Sequence, residues 1–187
     1  MKYIKSIKRI VFVSIVLMLI GFVFRGPVYR KIVAYKSLAE RPNYSIKNTN
    51  LINYIEANVP KKDTLQIEEI IRVSLKITSR KLRFTASNNY SDPNKLIRSK
   101  TANCIGYASF FSSVCNYLFK KYDQNNWVAK PKVGLIYLFG ENVHLHFDSP
   151  FLKDHDFVTI ENTFTKQSFA VDPSVNDYLF IDFIETF

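Results

Sequence analysis

From Ile10 to Phe24 every position is apolar except Ser14 and Gly21, and beyond that run the apolar positions become periodic. Cys104, Ala108, Phe111, Cys115, Leu118 and Phe119 recur at helical spacing. They predict a helix from about Asn103 to Lys121 with one stripe facing a core. Thr101 and Asn103 are both placed to cap its start, and Lys120 and Lys121 suit its negative end. Upstream, Asp63 with Gln66 three residues on reads as a helix start, followed by a face of Ile67, Ile70, Ile71, Ser74 and Ile77 to about Ser79. Short helices are predicted at Leu51–Ala57 and from Ser91-Asp92-Pro93 through Ile97. After Lys121 the pattern changes to strands. Lys132–Phe139 is rich in strand formers. Asn142–Phe147 alternates, with Val143, Leu145 and Phe147 on one face and His144 and His146 on the other. Asp154–Asn162 alternates again, Gln167–Val171 makes one more strand, and any later strand must come from Tyr178–Phe187. Helices first and antiparallel strands afterwards predict an α+β fold.

The apolar run sits at the N-terminus behind Lys2, Lys5, Lys8 and Arg9, a layout shared by secretory signals and membrane anchors. Its 15 residues are short of the roughly 20 that span a bilayer, but Ile7 and Val28 extend it and the flanking bases can snorkel. Arg25-Gly26-Pro27 stands where a small-residue cleavage site belongs, so the run reads as an uncleaved single-pass anchor rather than a cleaved signal. No cysteine follows it to carry a lipid. Three regions result: an anchor over residues 1–28, a juxtamembrane connector over 29–60, and a domain over 61–187. Bases also follow the run, so charge asymmetry orients the chain weakly. Likeness to an export signal places the N-terminus inside and the domain outside the cytoplasm.

The formal net charge of +10 invites a nucleic-acid reading. Its distribution argues otherwise. Lys2, Lys5, Lys8, Arg9 and Arg25 flank the apolar run, and without them 21 bases face 16 acids. No basic cluster interleaves with aromatics, so a membrane partner is expected and no nucleic acid. The two cysteines are eleven positions apart on one predicted helix, about 16 Å along its axis. A disulfide needs Cα atoms within about 7 Å. Both are therefore free thiols.

Cys104 falls in the first turn of the predicted helix. Free backbone N–H groups and the positive end of the helix dipole there favour an anionic sulfur, and Gly106 is expected to keep the adjoining surface open. Thiol catalysis also needs an imidazole and a group that orients it. If Asp154–Asn162 and Gln167–Val171 form a hairpin closing at Thr163-Phe164, paired positions sum to 327 and His155 faces Asp172 directly. Cβ atoms so paired lie about 5 Å apart. The carboxylate then accepts from one ring nitrogen and leaves the other to the thiol.

Three segments carry a resemblance: Cys104-Ile105-Gly106-Tyr107-Ala108, His155-Asp156-Phe157-Val158, and Phe169-Ala170-Val171-Asp172-Pro173-Ser174. In order and spacing they resemble the transglutaminase-like superfamily of papain-like cysteine enzymes: a Cys at a helix start before a Tyr-Ala step, a His-x-aromatic strand, then Asp-Pro-Ser/Thr. The likeness covers roughly Asp63 to Asp177. Phe157 stands where the family usually has Trp, and the chain ends soon after Asp172. The resemblance implies a catalytic helix packed on an antiparallel sheet, with Cys104 as nucleophile, His155 as base and then acid, and Asp172 as orienting carboxylate. An amide or ester acyl group of a protein, peptide or cell-envelope component would pass through a thioester to water or to an amine. No cofactor and no metal are implied. The Cys104 N–H is an oxyanion donor candidate, with Asn88, Asn89 and Asn103 as candidates for the second.

Plainer readings compete. Free Cys is among the most buried residue types, so Cys104 and Cys115 both fit a core; His155 fits a strand start and Asp172-Pro173 a turn opener. His144 and His146 suggest a shared ion, but no third ligand stands at a recognisable spacing. The rival function is a catalytically silent module of the same fold that binds a protein or an envelope polymer.

Overall fold

Four helices start behind a capping side chain: Asn48, Asp92, Asn103 and Asp172 each accept from a backbone N–H of the first turn. A computed structural model describes the backbone of residues 2–187 and the side chains of residues 11–187. The basic flank of Lys2, Lys5, Lys8 and Arg9 lies outside the described side chains. In chain order the elements are α1 (Lys2–Val23), α2 (Arg25–Ile32), β1 (Val33–Glu40), α3 (Thr49–Asn58), α4 (Ile67–Lys81), β2 (Arg83–Phe84), α5 (Pro93–Leu96), β3 (Thr101–Ala102), α6 (Cys104–Lys121), β4 (Trp127–Leu138), β5 (Glu141–Asn142), β6 (His155–Asn162), β7 (Ser168–Val171), α7 (Pro173–Leu179) and β8 (Glu185–Thr186). The fold is mixed α+β.

The main sheet runs β7-β6-β4-β1-β8, antiparallel except that the short β8 lies parallel to β1. Helix α6 packs across it. Phe110, Phe111 and Val114 of α6 share one core with Val158, Ile160 and Val171 of the sheet, closed by Ile70, Ile71 and Leu75 of α4. A second, smaller core holds Val33, Tyr35, Phe157, Ala170, Ile181 and Ile184. It wraps the C-terminal segment against β1 and β6. Gly134 of β4 sits opposite His155. A Cβ there would come within 2.5 Å of the Phe157 ring and 2.6 Å of the Lys36 carbonyl oxygen, so only glycine lets these strands and that ring close up.

Several expectations shift. Residues 29–60 do not merely connect: β1 pairs along its length with β4, and Leu51 and Ile55 of α3 are buried in the larger core. Helix α4 begins at Ile67 because Gln66, not Asp63, is the cap, forming a capping box with Glu69. Only Glu141 and Asn142 of the expected strand over 142–147 pair with β4; Val143–His146 is a 3₁₀ turn whose start Asn142 caps by accepting from the His144 N–H. Gly106 is buried rather than open: a Cβ would stand 2.7 Å from the Ala102 Cβ, so the glycine admits β3 against α6.

The hairpin register differs as well. Val158 pairs with Val171 and Glu161 with Ser168, so paired positions sum to 329 and Asp172 falls level with Phe157 instead of His155. The turn is responsible. Asn162 Oδ1 accepts from the Phe164 and Thr165 N–H groups and Lys166 takes a left-handed φ of 62°, which centres the turn one residue later. Because the sum moves by two, His155 stays on the same face of the strand, one diagonal step from Asp172.

Among the described residues no single helix is long and apolar enough to cross a membrane. Val11–Val23 and Arg25–Ile32 qualify only as a pair, bent by 68°. The large apolar side chains of α1, from Phe12 to Val23, are solvent-exposed.

Candidate active site

Cys104 is the first residue of α6. Asn103, the one of the two cap candidates that acts, is in extended backbone and its Oδ1 accepts from the Gly106 N–H at 3.1 Å. That leaves the Cys104 N–H at the helix N-terminus, where no helical carbonyl can reach it. The thiol is nearly covered, with the residue 5% exposed.

His155 opens β6. Its Nε2 lies 2.7 Å from Asp172 Oδ2, which leaves Nδ1 for another partner, and Cys104 lies close enough to the ring to influence its charge. The structure thus brings Cys104, His155 and Asp172 together.

Asp172 is fully buried and caps α7. Its Oδ1 accepts from the Ser174 N–H at 3.0 Å, the Ser174 hydroxyl at 2.6 Å and the Val175 N–H at 3.1 Å. Oδ2 is shared by His155 and by the Tyr35 hydroxyl at 2.9 Å. Further along, the Tyr107 hydroxyl of α6 donates to Asp177 of α7 at 2.7 Å, tying the helix that starts at Cys104 to the helix that Asp172 caps.

Charge and burial oppose each other here. Burial lowers the His155 pKa, but the Asp172 charge, its hydrogen bond and the proximity of Cys104 outweigh that and push it up to about 10. Burial raises the Asp172 carboxyl, and the His155 charge, the hydrogen bonds of His155 and Ser174 and the Val175 N–H more than reverse it, holding it below the usual carboxylate range. An imidazolium facing a carboxylate follows. The pair sets a pH window for stability. Above about 6.5 the unfolded chain sheds the histidine proton while the folded chain keeps it until about 10, so stability falls as pH rises through that interval. On the acid side the Asp172 contribution is lost as pH falls below the ordinary carboxylate value. Unfolding free energy should therefore decline above pH 6.5, by at most about 1.4 kcal/mol per pH unit from this group. Urea titrations of wild type and His155→Ala at pH 6 and 9 check this, because the variant should lose that part of the slope.

The other candidates have different surroundings. His144 is buried; its Nε2 accepts from the Ile136 N–H at 3.0 Å and its Nδ1 lies 2.7 Å from the Leu152 carbonyl, while His146 is exposed. With both nitrogens engaged, His144 holds a turn. No group of three or more His, Cys, Asp or Glu among the described residues is placed to hold a metal ion. Of the candidate oxyanion donors, Asn103 caps α6, Asn89 Nδ2 donates to Ser99 and Thr101, and Asn88 is exposed. Cys115 lies deep in the larger core, and burial pushes its thiol up to about 12.

Three residues near Cys104, His155 and Asp172 do not stand out in the sequence pattern. Tyr35 and its partner Tyr29 fall in the stretch taken as a connector, where the alternation of Val33, Tyr35 and Ser37 was the available signal. Arg41 grips the buried Asp156 carboxylate through Nε at 2.9 Å and Nη2 at 3.0 Å, next to His155 in sequence. Nothing in the pattern around Arg41 marked it. No family model, no curated protein and no solved structure matches the chain.

Proposed function

We propose that the chain is a membrane-anchored, transglutaminase-like thiol enzyme that cleaves or transfers an amide or ester acyl group. The supporting observation is the Nε2–Oδ2 bond of 2.7 Å between His155 and Asp172, on a ring close enough to a helix-initial cysteine to feel its charge. In this reading the imidazolium of His155 stabilises the Cys104 thiolate, and Asp172 fixes the ring so that Nδ1 faces sulfur. The sulfur attacks the carbonyl carbon, forming a C–S bond, and charge collects on the carbonyl oxygen near the α6 N-terminus. As the bond to the leaving amine or alcohol breaks, His155 gives that group its proton. Water or an amine then attacks the thioester, His155 takes its proton, and the C–S bond breaks to restore the thiolate beside the imidazolium. The substrate is a protein, peptide or cell-envelope component.

The low exposure of Cys104 favours a second reading, a silent module that binds such a partner without turnover. Acyl capture separates the two. Intact-mass analysis after incubation with an activated ester should find one acyl group on Cys104, removable by hydroxylamine, and none in His155→Ala. No His155-dependent adduct supports the silent module.

The anchor is the exposed apolar helix α1, with the domain outside the cytoplasm. Full-length protein should stay with membranes through high-salt washes and need detergent for release. Extraction by salt alone would assign the attachment to the basic residues instead of Ile10–Phe24.

A further inference from the structure

The thiol-enzyme reading leaves one hydrogen-bond chain into the site unused. Asp172 Oδ2 receives two donors, His155 Nε2 at 2.7 Å and the Tyr35 hydroxyl at 2.9 Å. A hydroxyl carries a single hydrogen and a carboxylate donates none. The Tyr35 hydrogen therefore goes to Asp172. The 2.7 Å contact between the Tyr29 and Tyr35 oxygens must then be a bond donated by Tyr29. The polarity is fixed: Tyr29 to Tyr35 to Asp172, with His155 arriving at the same oxygen from the other side.

We propose that Tyr35 is a positioning residue of the Cys104–His155–Asp172 array, and that helix α2 sets it in place through Tyr29; this rests on the thiol-enzyme reading above. Three observations carry it. Tyr35 is fully buried at the centre of the smaller core, its ring 6.2 Å from the His155 ring and 5.4 Å from that of Phe157, so its hydroxyl has little freedom to turn away. Oδ1 of Asp172 is held by the first turn of α7, whereas Oδ2 is held, among the described residues, by its two side-chain donors. Finally, α2 braces α7 at both ends. Tyr29 reaches its N-cap through Tyr35, and Arg25 Nε donates at 3.0 Å and 3.1 Å to the Leu179 and Phe180 carbonyls at its C-terminus. Helix α2 follows directly on the apolar helix α1, so the anchor joins the domain at the element that supports the catalytic carboxylate.

Two physical effects follow. Tyr35 fixes the direction in which Oδ2 faces the imidazole, and by sharing the carboxylate charge it weakens the hold of Asp172 on the histidine proton. Burial and the nearby Asp172 charge raise the Tyr35 phenol well above its usual range, so it stays a donor at any working pH. The other groups near His155 are Cys104 from α6 and Asp156, the next residue on β6, paired with Arg41.

The test uses full-length protein in detergent micelles with ring-labelled histidine, following the His155 titration by NMR together with the rate of Cys104 alkylation by iodoacetamide. Tyr35→Phe removes the donor, makes Asp172 more basic, and should move the His155 midpoint upward by about one pH unit while slowing alkylation severalfold. Tyr29→Phe should shift it in the same direction by less. Tyr54→Phe, whose hydroxyl bonds the distant Ile77 carbonyl, should change neither. A folded Tyr35→Phe with an unchanged His155 midpoint overturns the proposal; if that variant does not fold, an unchanged midpoint in Tyr29→Phe overturns it. The thiol-enzyme reading fails separately, and takes the proposal with it, if wild-type His155 titrates near the ordinary 6.5 and Cys104 alkylates no faster than Cys115.

Discussion

Replacing His155 with Ala is expected to slow alkylation of Cys104 at neutral pH by at least about tenfold, because the thiolate loses its imidazolium partner. The geometry selects this histidine from the three in the chain. His155 bonds Asp172 and lies close to Cys104, whereas both His144 nitrogens are engaged by backbone and His146 is exposed. His146→Ala should leave the rate unchanged. His144→Ala removes a buried hydrogen-bonding group, so it should lower stability while leaving the Cys104 rate in the folded protein within about twofold of wild type. Rates from peptide-level mass spectrometry decide: a loss of the fast reaction in His146→Ala and not in His155→Ala would reject the assignment.

Asp172→Ala should be the most destabilising of the site substitutions, by on the order of 3–5 kcal/mol. It removes the cap of α7 and the acceptor for Tyr35, and it leaves the His155 imidazolium without its counter-charge. From sequence alone this variant reads only as a loosened imidazole with an intermediate alkylation rate. The five donors on its carboxylate add the stability cost. Asp172→Asn separates the two roles, since an amide oxygen can still cap α7 while the negative charge is gone. It should recover much of the stability in urea unfolding yet lower the His155 midpoint. Equal stability of wild type and Asp172→Ala would show that the cap and the ion pair contribute nothing.

What was legible followed from local signals. The α6 stripe and its cap are written in consecutive residues, as are β6 and β7, and they put Cys104 at a helix start and His155 near Asp172; joining the three in one site took the resemblance as well. The misreadings arose where a side chain or a distant partner decided. The β6–β7 turn centres one residue later because Asn162 gathers two N–H groups, and the alternation Val143-His144-Leu145-His146-Phe147 becomes a 3₁₀ turn because Asn142 caps it. Strand β1 escapes a local reading because its partner β4 lies about a hundred positions on, and its own residues follow the basic flank of the apolar run. Tyr35 was missed with it. Gly106 looked like an opening beside the sulfur and is instead the contact point for Ala102, a distinction only packing could make.

The most direct test of the central claim is the ratio of iodoacetamide rates at the two cysteines of the folded protein near neutral pH. Cys115 is fully buried in the core with its thiol pushed up to about 12, so it should stay unmodified until the chain unfolds. Cys104, at the helix start and beside His155, should react first and alone. Equal rates, or faster reaction at Cys115, would contradict Cys104 as the nucleophile.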